Sequence, residues 1–368
     1  MSNSRRSFLK SSTALAATSL AGQTIGDSPK TPPRSYLKDA GLQFCLAHFY
    51  GMDKRRIELS KQMQVLGAVG GTNSRGLGLT DLKPWDYQVI LAAKEAWAKE
   101  GLTLKVIEGP PTLSEKTKLG LEGRDQEIEN FISFMKNLSK AGIDTICYNW
   151  MPVISWARTD MDRTGRGGAL VSAFDEDAIK DTSLTAHGAF SKETMWKTLE
   201  YFLKAVVPEA EKVGVKLALH PDDPPVDAIR GISRILTSAE AFKRVIELVP
   251  SSSNGITLCQ GTFATMGEDI PALINYFGKR GKIHFVHFRD VRGNRHHFEE
   301  TFHDDGKTDM YQAMKTHYEI GFKGPIRPDH VPTMAGDSNE HPGYSNIGAL
   351  FAIGYMRGLI EAIAKNGR

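Results

Sequence analysis

Four residues of metal-ligating type each close a short apolar run. His220 follows Lys216-Leu217-Ala218-Leu219, and Cys259 follows Ile256-Thr257-Leu258. His287 follows His284-Phe285-Val286, and Asp329 follows Ile326-Arg327-Pro328. Two imidazoles, a thiolate and a carboxylate form a mixed nitrogen, sulfur and oxygen donor set, which suits a transition-metal ion better than magnesium or calcium. Taken singly, each has an ordinary structural role. A strand histidine is commonly a hydrogen-bonded core residue, and a strand cysteine a small buried hydrophobe, the role expected here for Cys45 and Cys147. The four stand apart because they recur at the ends of four consecutive strand-like runs. The stretch after His220, Pro221-Asp222-Asp223-Pro224-Pro225, is a rigid acidic loop that its prolines keep out of helix. Asp222 and Asp223 suit turn capping as well as direct catalysis.

The elements that must position these groups alternate regularly. Strands are expected at 42–48, 68–73, 102–108 and 143–149, then at 215–220, 255–260, 282–288 and 325–329. Helical stripes separate them: Ile128, Phe131, Phe134, Met135 and Leu138 form one, and Trp196, Leu199, Leu203, Val206 and Val207 another. Gly101, Gly142, Gly214, Gly281 and Gly321 each stand just before a strand, where glycine ends the preceding helix. Eight such units predict one α/β domain, a (β/α)₈ TIM barrel of the xylose isomerase-like kind, with functional groups at the C-terminal ends of its strands. An open doubly wound sheet is the other arrangement this spacing permits, but no Gly-x-Gly-x-x-Gly follows the first strand to support a dinucleotide fold. The longest insertion, 151–190, follows strand four and is expected to lie over the barrel mouth.

The whole chain sets wider bounds. It has 368 residues, of which 40% are hydrophobic and 24% charged, ordinary values for a well-cored globular protein. Its formal net charge of +3 is spread without a basic block, so neither nucleic acid nor a membrane surface is an expected partner. Three scattered cysteines make no disulfide framework. The N-terminus follows other rules. Ser4-Arg5-Arg6-Ser7-Phe8-Leu9-Lys10 is a twin-arginine pattern, followed by a mild apolar run from Ala14 to Ala21 that is far short of the ~20 residues a membrane span needs. Residues 1–27 are therefore expected to be a Tat-type signal peptide and 28–41 a Pro-rich linker, with the catalytic barrel at 42–368 and the periplasm as destination.

Several motifs resemble the mannonate dehydratase family in order. They are Cys147-Tyr148-Asn149-Trp150-Met151-Pro152-Val153 with Trp156-Ala157-Arg158-Thr159-Asp160, His220-Pro221-Asp222-Asp223-Pro224-Pro225, and Asn254-Gly255-Ile256-Thr257-Leu258-Cys259. Phe302-His303 with Asp309-Met310, Arg327-Pro328-Asp329-His330 and Pro342-Gly343-Tyr344-Ser345 complete the set. The resemblance runs from about Leu102 to the C-terminus. It implies a hydro-lyase that dehydrates D-mannonate, or a close relative, to 2-keto-3-deoxy-D-gluconate. It also implies one divalent ion per chain, Mn²⁺ or Fe²⁺, held by His220, Cys259, His287 and Asp329, and acid/base roles that fall on His330 and Tyr344. Arg158 is expected to clamp the substrate carboxylate and His303 to meet substrate hydroxyls. The chain departs from the family where a Trp-Arg-Trp-type first strand and a His-His-Ile-Pro segment are usual: it reads Phe44-Cys45-Leu46-Ala47-His48 and Gly70-Gly71-Thr72-Asn73-Ser74. Two other functions stay open on the sequence, a metal-dependent sugar isomerase or epimerase on the same barrel and an exported, non-catalytic sugar-acid binding protein. A homo-oligomer is compatible with either.

Overall fold

The computed structural model describes residues 41–366. The twin-arginine segment and residues 28–40 of the linker lie outside the described residues.

Eight parallel strands close into a barrel: β1 (Gln43–Ala47), β2 (Gly67–Gly70), β3 (Thr103–Glu108), β4 (Thr145–Asn149), β5 (Lys216–His220), β6 (Asn254–Cys259), β7 (Ile283–Phe288) and β8 (Pro325–Pro328). Each pairs with its chain neighbour, and β8 returns to β1 through Gln43↔Pro325 and Phe44↔Ile326. All eight lie where the hydrophobic runs predict them, and the open-sheet alternative is excluded by this closure. Closure also demands close approach at one seam. Gly67 of β2 faces Cys45 of β1, and a Cβ there would run into the Cys45 sulfur.

The helices form because their apolar residues repeat at helical spacing and their ends are capped. In Arg124–Ala141 the buried face is Ile128, Phe131, Ile132, Phe134, Met135 and Leu138, and left-handed Gly142 (φ 74°) ends it. In Lys192–Val213 the Ser191 hydroxyl accepts from the Thr194 amide at the start, and Gly214 (φ 71°) turns the chain toward β5. Phe131 and Phe202 meet edge-to-face between these two helices, with ring centroids 5.1 Å apart. A buried side chain of this size contributes about 3–5 kcal/mol against truncation to alanine.

The insertion after β4 is partly folded. Strands Asp160–Thr164 and Leu170–Asp175 pair antiparallel, and His297–Glu300 and Val291–Gly293, contributed after β7, extend the same sheet. Leu170 also bridges to Thr333 in the loop after β8. Loops from three strand ends are thus tied together above the barrel, which brings Arg158 and Glu300 into contact.

Candidate metal centre and active site

The four strand-end residues converge. The Nε2 of His220 lies 3.2 Å from Nδ1 of His287, which is 3.5 Å from Oδ2 of Asp329. The Cys259 sulfur is 4.0 Å from that same carboxylate oxygen, and the donor atoms of His220, Cys259 and His287 all lie within 4.8 Å of one another. Two nitrogens bound at ~2.1 Å to one ion would stand about 3.0–3.4 Å apart, so this spacing fits a shared metal. His220 points Nδ1 at the Pro221 carbonyl at 2.7 Å, which leaves Nε2 as the ring atom facing the cluster.

The electrostatics suit a cation. Burial pushes the Cys259 thiol up, but the Arg289 guanidinium and His220 outweigh it and hold the thiol well below its ordinary value. Arg289 Nε and the Thr262 hydroxyl donate to the sulfur at 3.2 and 3.1 Å, which favours the thiolate. Burial also pushes Asp329 up, and Arg327, 2.5 Å away, holds it well below the carboxylate range. Around the cluster three guanidiniums, Arg158, Arg289 and Arg327, face the carboxylates of Glu108, Asp223, Glu300 and Asp329 and the Cys259 thiolate.

His330 and Tyr344 share one wall of this centre. Val331 pairs with Gly343 and Tyr344, so the loop after β8 folds back and sets the two rings edge-to-face with centroids 5.8 Å apart. His330 has φ 45°, a left-handed backbone that a non-glycine residue adopts at a cost of about 1–3 kcal/mol. Its Nδ1 lies 3.0 Å from Glu300 Oε1, which accepts, and 2.5 Å from an Arg289 nitrogen, which donates. These neighbours favour opposite tautomers, so this ring can present Nε2 with or without its proton. Burial pushes the Tyr344 hydroxyl well above its ordinary value, Asp329 adds to this, and Arg327 opposes it.

Two residues expected to contact substrate, Arg158 and His303, sit away from the cavity. The Arg158 guanidinium is fully buried and forks onto Asp223 at 2.7 and 3.1 Å, with Glu300 at 2.6 Å, so its charge is spent inside the protein. His303 is buried too, with Nε2 directed to the Phe288 carbonyl at 2.7 Å and its pKa pushed down to about 4 by burial. Neither lines the cavity of about 280 Å³ that His220, His287 and Asp329 line, whereas Glu108, Arg327, Trp156, His330 and Tyr344 do; Cys259 lies behind this lining. Asp222 is a structural residue, since its Oδ2 accepts from the Ile235 and Leu236 amides at 2.9 and 2.8 Å. Arg289, Glu300 and Glu108 went unnoticed in the sequence. Glu108 ends β3 and was open to the same strand-end rule, while Glu300 gave no signal because its place depends on the second insertion.

The sequence profile of the family described as D-mannonate dehydratase (UxuA) matches residues 44–187 and 182–368. The chain belongs to this family. It is 35% identical to mannonate dehydratase 2 of Halalkalibacterium halodurans over 351 residues, 88% of this chain and all of that protein. A crystal structure of mannonate dehydratase from Streptococcus suis serotype 2 superposes with a TM-score of 0.81 at 33% identity, covering 89% of this chain and 94% of that one. A xylose isomerase domain protein from Planctomyces limnophilus shares the fold alone, with a TM-score of 0.52 at 12% identity over 88% of this chain and 97% of that one. The protein is thus a hydro-lyase of the sugar-acid dehydratase type, and membership of the family implies a divalent metal ion.

Proposed function

We propose that this protein dehydrates D-mannonate to 2-keto-3-deoxy-D-gluconate and water, with one ion per chain, Mn²⁺ first and Fe²⁺ second, held by His220, Cys259, His287 and Asp329. The convergence of these four donors beside His330 and Tyr344 carries the reading. A thiolate with two imidazoles is soft enough for iron or zinc, but four protein donors plus open positions for substrate call for coordination beyond a closed tetrahedron.

In the reaction the C2–H bond breaks, its electron pair forms the C2–C3 double bond, and the C3–O bond breaks with hydroxide leaving as water once protonated. The enol then tautomerises to the 2-keto acid. When bound, a divalent ion would supply Lewis-acid stabilisation of the charge that builds on the substrate carboxylate. The chain's own groups handle the protons. Glu300 and Arg289 hold His330 by its Nδ1, with Nε2 3.6 Å from Asp329, and His330 and Tyr344 together serve as the pair that takes the C2 proton and delivers one to the departing hydroxyl. Trp156, with its ring centroid 5.1 Å from that of His330, helps exclude water from this side. The test is a screen of hexonates and uronates with the Mn²⁺-loaded enzyme, following 2-keto-3-deoxy acid. Turnover of a keto-sugar and of no aldonate would overturn the reading.

The twin-arginine pattern at Arg5-Arg6 supports export of the folded protein to the periplasm. Replacing both arginines by lysine is expected to block export while leaving the melting temperature of the purified protein unchanged. Unaffected export would remove the Tat assignment.

A further inference from the structure

β4 ends in Asn149, whose register partner on β5 is His220. Two residues deeper the same pairing joins Cys147 to Ala218, both turned into the barrel, so the pleat turns the Asn149 side chain inward as well. Asn149 lines the same cavity as His220, His287 and Asp329. In the closed order of strands β4 stands opposite β8, and His330 and Tyr344 follow β8. Asn149 therefore faces the acid/base pair from across the mouth.

Which end of its amide meets the cavity is decided from behind. Lys118, in the helical turn Glu115–Leu119 after β3, donates from Nζ to Asn149 Oδ1 at 3.0 Å, and the Met151 amide donates to the same oxygen at 3.1 Å. A flipped amide would set its NH₂ group against both of these N–H groups, so Oδ1 is the buried end. Nδ2 has no partner among the described residues and is not enclosed, so it is the end left to meet a ligand. Lys118 bears the cost of this arrangement. It is 8% exposed, its Nζ has no carboxylate partner among the described residues, and burial pushes its pKa down to about 8 although Glu115 and Asp222 oppose this. A buried ammonium without a carboxylate partner destabilises a fold. Its side chain makes one hydrogen bond among the described residues, and that bond orients Asn149. A neutral amide donor suits a hydroxyl oxygen, the acceptor that each carbon beyond the carboxylate of an aldonic acid offers.

We propose that Asn149 binds substrate, its Nδ2 donating to a hydroxyl oxygen of the sugar acid on the side away from His330 and Tyr344, and that Lys118 is the positioning residue that keeps this donor turned to the cavity. The assignment rests on the dehydratase reading of the cavity. It is tested by steady-state kinetics on D-mannonate with the Mn²⁺-loaded full chain, alongside melting temperatures. Asn149→Ala is expected to raise KM about tenfold and to change kcat less than about threefold, the pattern of binding lost equally from ground and transition states. Lys118→Met, of similar length, should raise KM about fivefold without lowering the melting temperature, and Lys118→Arg, which keeps a donor, should recover most of that loss. Because Lys118 acts through Asn149, the double variant should have the KM of Asn149→Ala alone. Asn149→Asp keeps the shape and the Lys118 contact but turns an acceptor to the cavity, so it should raise KM as much as Asn149→Ala even if the smaller side chain unsettles the fold. A parental KM in Asn149→Asp overturns the substrate contact, and a Lys118→Met effect that adds in full to that of Asn149→Ala overturns the positioning role; both leave the dehydratase reading standing. A parent chain that turns over no aldonate overturns that reading and this assignment with it.

Discussion

The barrel presents two inward-facing layers one pleat apart, and they differ in almost everything but backbone. At the mouth, β3, β5, β6 and β7 offer Glu108, His220, Cys259 and His287, with Asp329 just past β8. Two residues deeper the same strands offer Val106, Ala218, Thr257 and Phe285, joined by Cys45, Val69 and Cys147. The mouth holds one buried cysteine, Cys259, and the deeper layer two, Cys45 and Cys147; Cys259 and Cys147 make the comparison. Burial pushes both thiols up. At Cys147 the carboxylate of Glu108 adds to that push, and the pKa reaches about 11. At Cys259 Arg289 reverses it. Arg289 stands two residues after His287, where β7 has ended and a long side chain can fold back over the mouth. Depth does not make a thiol reactive or inert; the neighbour that the next loop brings does.

Removing the donor at the mouth is the strongest break of this contrast. Cys259→Ser replaces a soft thiolate by a neutral hydroxyl and leaves Arg289 without one partner. Metal affinity, read by chelator competition, is expected to fall more than about a hundredfold, beyond the 10–100-fold typical of residues behind the ligands. The fold should persist, as read by circular dichroism. Full metal occupancy with full activity in this variant would end the assignment of Cys259 as a ligand.

A smaller effect is expected one step behind the ligands. Glu300 joins Arg158, Arg289 and His330, and although burial pushes its carboxyl up, Arg289 and His330 bring it down to about 2. A depressed folded pKa means that the protein binds fewer protons than the unfolded chain between pH 2 and about 4.3. The Glu300 contribution is therefore fully present above about pH 4.3 and lost as the pH falls through about 2. Glu300→Gln is expected to cost about 3–5 kcal/mol at pH 7, since it leaves buried guanidiniums short of a partner. The gap from the parent should narrow in chemical denaturation as the pH approaches 2. Activity should fall at least about tenfold, because His330 loses the carboxylate that orients it. A gap independent of pH would show that Glu300 is not ionised in the native state.

The same contrast explains what could be read from the sequence. Strand ends were legible because apolar runs and glycine caps repeat at regular spacing, so His220, Cys259, His287 and Asp329 could be placed around one point without coordinates. Arg158 and His303 lie away from the cavity, a placement that charge and polarity near a motif do not reveal because they say nothing about direction. Arg158 turns inward because Asp223 and Glu300 meet it there, and Glu300 arrives on a strand that pairs both with Val291–Gly293 and with the insertion after β4. Pairings between distant loops leave no periodic trace in either partner.

The smallest expected effect is also the most discriminating, because Cys147 sits on the boundary between the layers. Its sulfur accepts from the Thr257 hydroxyl at 3.2 Å, as a packed core thiol does. Yet the donor atoms of Glu108, Cys147 and His287 also lie within 4.8 Å of one another, with His287 Nε2 3.5 Å from a Glu108 oxygen. An ion could in principle sit on either side of the His287 ring. Two facts favour the mouth. Glu108 is already bonded by Arg327 at 3.0 and 3.2 Å, so its charge is largely spent. The Cys147 thiol would also have to lose a proton that burial and Glu108 hold, whereas Arg289 and His220 hold the Cys259 thiol well below its ordinary value. Cys147→Ser should therefore keep one ion per chain and change kcat/KM less than twofold, with a stability loss of about 1 kcal/mol from an altered core contact. Metal content by elemental analysis and the spectrum of the Co²⁺-substituted protein provide the check. Sulfur-to-cobalt charge-transfer absorption should survive in Cys147→Ser and vanish in Cys259→Ser, and the opposite pattern would move the ion one layer down, to Glu108, Cys147 and the far nitrogen of His287.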